Sequence, residues 1–313
     1  MGVPVQVARL LLEEGKARPF SGSLLTLGRI SIYVTEVELR RHARRHGFVL
    51  ADPGEPVGLS HNPELAAVGC LGDRSFFRLL GFREVISVDA SNWEGADRIA
   101  DLNRPLPEEF RDRFDTVFEA GTIQHVFHLP NVFANLHAAL RTGGRVIHAM
   151  APSHNHVDHG FHQFSPTLFH DYYAANGWRL DAELLCEFTG LWLGSRFRPA
   201  GFTVRRYTPG CLDELAYGGF RARQLALFIA ATRIEQATAE VAPQQGYYRS
   251  FWADAGERER TAGRSHGPSR RRGLDRLIAR MPALEPLLLL WKRVRRLIGR
   301  ARPRRLPPVV ARY

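Results

Sequence analysis

The segment 85–150 alternates between strand-like and helix-like patterns, and this alternation restricts the fold more than any other feature of the chain. An apolar strand ends at Asp89, and a second strand is expected over 114–126. Apolar residues at helical spacing follow over 132–140, and a third apolar strand over 145–150. Strand, turn, helix and strand in succession predict a parallel sheet with right-handed crossovers.

Other stretches extend the same pattern to both sides of this segment. We expect helices over about 5–15, 36–45, 73–80 and 166–175, and strands over 23–28, 180–188 and 224–234. Their apolar runs suit strands and helix faces that are buried against each other. The pattern predicts an α/β core, and at 313 residues a single core with a tail fits the chain as well as two domains do.

Several short motifs resemble class I S-adenosylmethionine (SAM)-dependent methyltransferases, and more closely a bacterial methyltransferase-like subgroup. The similarity covers roughly residues 24–180. The motifs are Leu71-Gly72-Asp73, Asp89-Ala90-Ser91, Asp101-Leu102-Asn103, Phe114-Asp115, Gly121-Thr122-Ile123-Gln124-His125-Val126, Leu140-Arg141-Thr142-Gly143-Gly144 and His159-Gly160-Phe161-His162-Gln163-Phe164. The chain departs from the pattern in two ways: Gln124 replaces a Glu, and no compact Gly-x-Gly-x-Gly follows the first strand.

The resemblance implies a Rossmann-like methyltransferase fold, a mostly parallel twisted sheet flanked by helices, with a basic helical tail at the carboxyl terminus. We expect a helical segment over 1–20, the methyltransferase-like domain over 21–256 and an arginine-rich amphipathic tail over 257–313. Three widely spaced cysteines give no disulfide framework and indicate a reducing compartment.

The resemblance also implies that SAM is the cofactor and assigns residues to it. Asp89 would accept hydrogen bonds from the two ribose hydroxyls, while Asp101 and the backbone at Leu102 would meet the adenine. Gly28 and Gly72 would form a split cradle for the methionine part, or else the pocket has degenerated; the sequence leaves both open. The expected cofactor-binding set is Gly28, Gly72, Asp89, Ala90, Asp101, Leu102, Glu119 and Gly121.

A histidine-rich loop over 154–162 follows the third strand and carries the candidate catalytic residues. Within the resemblance, His159, His162 and Gln163 would bind or deprotonate the methyl acceptor, since imidazole titrates near neutral pH. The loop also reads His-x-His-x-Asp-His, a zinc hydrolase signature. After His170 the next histidine is His266, so the usual zinc ligand set is incomplete, and we expect no metal.

The positive charge of the chain is concentrated at its carboxyl end. From residue 257 onward sixteen Arg and one Lys stand against four acidic residues, a net charge of +13, whereas the whole chain carries +11. Apolar residues from Leu287 to Ile298 fall on one helical face. Such a helix suits an anionic membrane surface; nucleic acid and docking on the protein's own core are the alternatives.

Three functions are compatible with the sequence. The first is a SAM-dependent methyltransferase, whose acceptor could be a glycan or a lipid-linked intermediate. The second is a non-catalytic binding or scaffold protein of the same fold, and the third is a zinc-dependent hydrolase. With no secretory signal pattern and no run of ~18 apolar residues, we expect a cytoplasmic protein, with the tail able to reach the inner membrane face.

Overall fold

A computed structural model describes residues 2–212, 220, 222–246, 248–249, 252–253, 286, 290 and 307–313. The chain divides into two compact units: Met1–Gln245 together with Pro307–Tyr313, and Gly246–Leu306. Most of the second unit lies outside the described residues, including nearly all of the amphipathic helix expected from Leu287 to Ile298. The account below concerns the first unit.

The described helices and strands follow one another in the alternating order that the sequence predicts. The helices are α1 (Val5–Ala17), α2 (Glu36–His46), α3 (Pro63–Ala67), α4 (Asp73–Leu80), α5 (Leu129–Ala139) and α6 (Pro166–Ala175). The strands are β1 (Gly2–Val3), β2 (Ser23–Leu27), β3 (Ser31–Ile32), β4 (Glu84–Asp89), β5 (Arg98–Ile99), β6 (Phe114–Glu119), β7 (Leu140–His154), β8 (Arg179–Thr189), β9 (Trp192–Leu193), β10 (Arg196–Phe197), β11 (Ala200–Arg206), β12 (Gln224–Thr232) and β13 (Val309–Arg312).

Nine of these strands form one sheet in the order β13-β11-β8-β12-β7-β6-β2-β4-β5. The pairs from β5 through β4, β2 and β6 to β7 are parallel, and β12 lies antiparallel between β7 and β8. Within the described sheet, all strands except β11 and β12 run in one direction. The predicted fold class, a Rossmann-like and mostly parallel sheet with helices on both faces, is confirmed.

The sheet separates two buried apolar layers. On one face α1, α2 and α4 supply residues such as Leu11, Leu39 and Phe77, and on the other face α5 and α6 supply residues such as Phe133 and Tyr173. Because both faces are covered, β2 and β12 are buried along nearly their whole length. This double burial explains why the strands appear in the sequence as continuous apolar runs rather than alternating ones.

Two boundaries within the segment 85–150 differ from the sequence expectation. Strand β6 ends at Glu119, and His125 lies in a 3-10 turn, Ile123–His125, rather than at the end of a strand. Helix α5 ends at Ala139, so the glycine-containing turn that follows belongs to β7, where the register against β6 shifts. Beyond Glu119 the chain leaves the sheet, and residues in 120–126 form part of a cavity wall.

The last residues of the chain belong to the sheet. Strand β13 pairs with β11, and the backbone N–H of Tyr313 donates to the carbonyl of Phe202 at 2.8 Å. The guanidinium of Arg9 lies 3.9 Å from the centre of the Tyr313 ring. The tail expected over 257–313 therefore has a different boundary, since residues 307–313 pair with the core and do not extend from it. No helix within the described ranges is long and apolar enough to cross a membrane.

Candidate functional site

A cavity of about 450 Å³, here called the first cavity, opens where β2, β4 and β6 end. Parallel α/β sheets bind ligands at this edge because the carboxyl ends of their strands and the loops that follow them converge there. The lining residues are Gly28, Arg29, Ile30, Ser31, Tyr33, Val88, Asp89, Ala90, Glu94, Asp101, Leu102, Asn103, Ala120, Gly121, Thr122, His125 and Val126. Six of the eight expected cofactor residues are among them.

Gly28 lines the first cavity, and its backbone has a conformation that favours glycine. Its φ is +78°, and its N–H donates to the carbonyl of Val88 at 2.7 Å, which ties the turn after β2 to β4. A Cβ at this position would lie 3.2 Å from Oγ1 of Thr122 and 3.5 Å from Oδ2 of Asp89. A side chain would therefore be strained and would enter the space beside Asp89.

Asp89 and Asp101 both contribute carboxylates to the lining of the first cavity. Asp89 is the last residue of β4 and is half-buried. Asp101 is exposed and accepts hydrogen bonds from the backbone N–H of Asn103 and from its side-chain amide, at 2.9 and 2.8 Å; these bonds lower the pKa of Asp101. Leu102 beside it is buried and offers an apolar wall.

The charges around the first cavity favour a cationic ligand that carries hydroxyl groups. The lining includes the carboxylates of Asp89, Glu94 and Asp101 and a single guanidinium, that of Arg29. Arg29 is already bound: its Nε and Nη2 donate to Asp73 at 2.7 and 2.8 Å, and Nη1 donates to the carbonyls of residues 94 and 95. This bonding, led by the hydrogen bonds to Asp73, raises the pKa of Arg29.

Gly72 does not line the first cavity, so the expected split cradle does not form. A Cβ on Gly72 would lie 2.7 Å from the carbonyl oxygen of Leu59, which explains the glycine by close packing of the preceding loop. Gly72 precedes α4, and Asp73 in the first turn of that helix holds Arg29 and the N–H of Ile30. The helix amino terminus is therefore occupied by the protein's own carboxylate.

Glu119 is fully buried behind the first cavity and supports its wall without lining it. Its Oε2 accepts the N–H groups of Gly121 and Thr122, at 3.0 and 3.2 Å. The other oxygen accepts from Nδ1 of His148 at 3.1 Å, and Nε2 of His148 contacts the hydroxyl of Tyr173 at 2.6 Å. Because an ionised carboxylate only accepts, the bond to Glu119 is donated by Nδ1 of His148. The pKa of the Tyr173 hydroxyl is raised by burial.

A second cavity, of about 430 Å³, adjoins the first. Its lining residues are Tyr33, Asn155, His156, Val157, His159, Trp192, Phe197 and Gln224. Tyr33 lines both cavities, and its ring contacts Trp192 edge to face, with ring centres 6.0 Å apart. The two cavities therefore share a wall, as cofactor and acceptor sites must for direct group transfer.

A pair of imidazoles connects the two cavities. His125 lines the first cavity, His159 lines the second, and their rings meet edge to face with centres 5.2 Å apart. Burial lowers the pKa of both, and in His125 the neighbouring His159 adds to the shift. Both imidazoles are therefore neutral at neutral pH and able to accept a proton.

His156 is more deeply buried than either of these, with 7% of its surface exposed. Neither ring nitrogen has a hydrogen-bond partner among the described residues. Burial lowers the pKa of His156 to about 4, although the backbone of His154 opposes the shift without making a well-formed hydrogen bond. A buried imidazole without a partner is costly unless a ligand supplies one.

The other two predicted catalytic residues lie apart from both cavities. Nε2 of His162 contacts the carbonyl of Phe127 at 3.3 Å, and Oε1 of Gln163 accepts the N–H of His156 at 3.0 Å. Gln163 thus shapes the loop. Within the part of the chain that the structure describes, which includes 154–159, no three metal-binding side chains come together. The zinc hydrolase hypothesis gains no support from this arrangement.

Sequence reasoning missed several residues of the two cavities. Tyr33 precedes α2 and carries no motif, and Trp192 and Phe197 lie on the short β9–β10 hairpin, outside the similar segment 24–180. In the sequence His156 stands out only as part of the His-x-His-x-Asp-His pattern. A cluster of aromatic residues within 188–202 is the one signal that could have drawn attention to the hairpin.

No protein-family model and no curated protein matches this sequence. Among solved structures, TehB from Haemophilus influenzae is similar over 72% of this chain and 61% of its own, with 10% identity and a TM-score of 0.35. This chain thus spans about three fifths of the length of TehB.

Two further solved structures are similar to this chain at comparable levels. Geranyl diphosphate methyltransferase in complex with SAM is similar over 74% of this chain and 85% of its own, with 14% identity and a TM-score of 0.36. Burkholderia thailandensis 1,6-didemethyltoxoflavin-N1-methyltransferase, bound to S-adenosylhomocysteine, covers 74% and 78%, with 15% identity and a TM-score of 0.34. Proteins with so few residues in common need not share a reaction.

Proposed function

We propose that this protein is a SAM-dependent methyltransferase, with SAM in the first cavity and the methyl acceptor in the second. The observation that carries the proposal is the shared wall: Tyr33 lines both cavities, and His125 and His159 meet across the boundary. A methyl donor and an acceptor bound in these cavities would be neighbours without any movement of the fold.

The residues of the first cavity fit SAM. Asp89 would accept hydrogen bonds from the ribose hydroxyls, and Gly28 leaves open the space beside its carboxylate. Asp101 and Leu102 would meet the adenine, with Ala90 and Gly121 completing the wall. When bound, SAM supplies an electrophilic methyl group on a positively charged sulfonium, which the surplus of carboxylates in the lining favours.

His159 would serve as the general base in the second cavity. Its imidazole is neutral at neutral pH because burial lowers its pKa, so it can take the proton that the acceptor loses. Nε2 of His159 is enclosed without a hydrogen-bond partner among the described residues. His162 contacts the carbonyl of Phe127, and Gln163 accepts the N–H of His156. These two side chains would hold the loop that carries His159 in place.

Calorimetric titration with S-adenosylhomocysteine tests the cofactor assignment. We expect wild-type protein to bind and Asp89→Asn to bind at least tenfold more weakly, because a charge-assisted acceptor for two hydroxyls is lost. Asp52→Asn is the matched control, since Asp52 is an exposed carboxylate outside both cavities. Absence of binding by the wild type at millimolar ligand would instead favour the non-catalytic scaffold, which the missing glycine motif also suggests.

A further inference from the structure

The described residues that line the second cavity give it no charged wall. None of the described residues that line it is acidic or basic at neutral pH, because its two histidines are neutral. Two arginines beside lining residues in the sequence are held elsewhere: Arg196 binds Glu38, and Nε of Arg223 lies 2.7 Å from Glu187. A phosphate or carboxylate on the acceptor would therefore find no cation among the described lining residues, and its desolvation would be unfavourable.

The walls are instead aromatic. The rings of Trp192 and Phe197 are 5.3 Å apart, and Tyr33 contacts both, at 6.0 and 6.2 Å between ring centres. The indole of Trp192 is 65% exposed although it lies at the cavity wall, so a ligand would cover apolar surface there. Aromatic walls of this kind favour a flat ring in the ligand, because aromatic rings contact one another with favourable geometry.

Few polar groups in the second cavity remain free to bind a ligand. Oε1 of Gln224 already accepts the N–H of Gly190 at 2.8 Å, and Nδ2 of Asn155 donates to the carbonyl of Arg223 at 3.0 Å. A glycan would bring many hydroxyls and leave most of them unpaired. The available acceptors are the imidazoles of His156 and His159, which suit a ligand with one or two hydroxyl groups.

We propose that the second cavity binds an uncharged phenol and that the reaction methylates the phenolic oxygen. This inference rests on the proposed function and names its acceptor class. The phenolic oxygen forms a bond to the methyl carbon as the carbon–sulfur bond breaks; the electron pair of that bond stays on sulfur. The hydroxyl proton passes to the imidazole of His159. Phenols ionise near pH 10, far more readily than sugar hydroxyls, so a neutral imidazole is a sufficient base.

A matched series of naphthalene compounds tests the acceptor class on the full-length protein. By calorimetry we expect 2-naphthol to bind, and 2-naphthoate, which is charged, to bind at least tenfold more weakly. Decahydro-2-naphthol, which lacks the aromatic rings, and 2-methoxynaphthalene, which cannot donate a hydrogen bond, should also lose about tenfold in affinity. Equal affinity across the series, or tighter binding of the carboxylate, would overturn the proposal.

Two variants assign the binding to the second cavity. Trp192→Ala should weaken the binding of 2-naphthol about tenfold. Trp93→Ala should not, because Trp93 is 90% exposed and lines neither cavity. Equal effects of the two would place the ligand elsewhere and contradict the proposal. With SAM present, the product 2-methoxynaphthalene is expected and can be detected by mass spectrometry.

The two proposals fail in different ways. If S-adenosylhomocysteine binds and 2-naphthol does not, the acceptor class is wrong and the methyltransferase proposal stands. If 2-naphthol binds as expected and S-adenosylhomocysteine does not, the second cavity binds phenols but the proposed methylation is wrong.

Discussion

Nη1 of Arg145 donates to Oε1 of Glu14 at 2.7 Å and so connects β7 to α1 across 131 residues of sequence. Arg145 is 2% exposed, donates a second bond to the carbonyl of Arg18 at 2.9 Å and lies over the ring of Phe20. Burial lowers the pKa of Arg145 to about 10 and raises that of Glu14, against the attraction between them. Desolvation thus offsets much of this ion pair's benefit, and its main effect is to fix the position of α1.

Removing one partner of this pair should be more harmful than removing both. Arg145→Met would leave Glu14 buried without a counter-charge and should lower the free energy of unfolding by about 3–5 kcal/mol. The double variant Arg145→Met with Glu14→Leu should recover much of this loss. Urea unfolding measures both. The control is Arg40→Met, which breaks an exposed pair with Glu36 and should cost less than about 1 kcal/mol.

Stability should depend on pH through His156. Its pKa is lowered to about 4 from the ordinary 6.5, so between these values the unfolded chain binds a proton that the folded chain excludes. The contribution is fully present above pH 6.5 and is lost as pH falls through 4, by about 3 kcal/mol. In urea unfolding at several pH values, His156→Phe should show a correspondingly flatter profile. His162→Phe removes a less buried imidazole, and an identical flattening there would contradict the assignment.

Glu119 should matter for cofactor affinity without touching the cofactor. Glu119→Gln would present an amide where a carboxylate now accepts from Gly121, Thr122 and His148. The wall of the first cavity should shift, and S-adenosylhomocysteine should bind about tenfold more weakly in calorimetry. Glu183→Gln is the matched control, because it removes a carboxylate bound to His170 away from both cavities. A similar loss in the control would mean that the effect is one of general stability.

The carboxyl-terminal strand and the segment before it should behave differently on deletion. Deleting 307–313 removes β13 and the stacking of Arg9 on Tyr313, and should lower the free energy of unfolding by about 2 kcal/mol or more. Replacing 246–306 with a flexible linker leaves the nine-stranded sheet intact and should change the melting of the first unit little. Thermal unfolding by circular dichroism compares the two variants, and the opposite ranking would contradict the role of β13.

Replacing 246–306 with a flexible linker also tests the binding partner that the sequence suggests for this arginine-rich segment. Its many arginines and the apolar face from Leu287 to Ile298 lead us to expect that full-length protein cosediments with anionic vesicles. The deletion variant should remain in the supernatant, and neutral vesicles should bind neither protein. If the full-length protein does not bind vesicles but binds RNA with a steep salt dependence, the segment is a nucleic-acid-binding segment instead.

The parallel half of the sheet and the first cavity could be predicted because their signals are local. The apolar run that ends in Asp89 indicates where β4 ends, and the glycine after β2 indicates the turn that follows that strand. Each signal lies at the position that it predicts. The second cavity brings Tyr33, His156 and Trp192 together from distant parts of the chain, and no spacing within the sequence encodes that contact. The family resemblance implies a cofactor role for Gly72, whereas the constraint on this glycine in the structure is the close approach of Leu59.

Strand β13 also covers the outer side of β11 in the described sheet. Without residues 307–313, that side of β11 would be an unpaired sheet edge. Exposed strand edges invite pairing with other chains. A variant that lacks residues 307–313 should therefore aggregate more readily than the full-length protein.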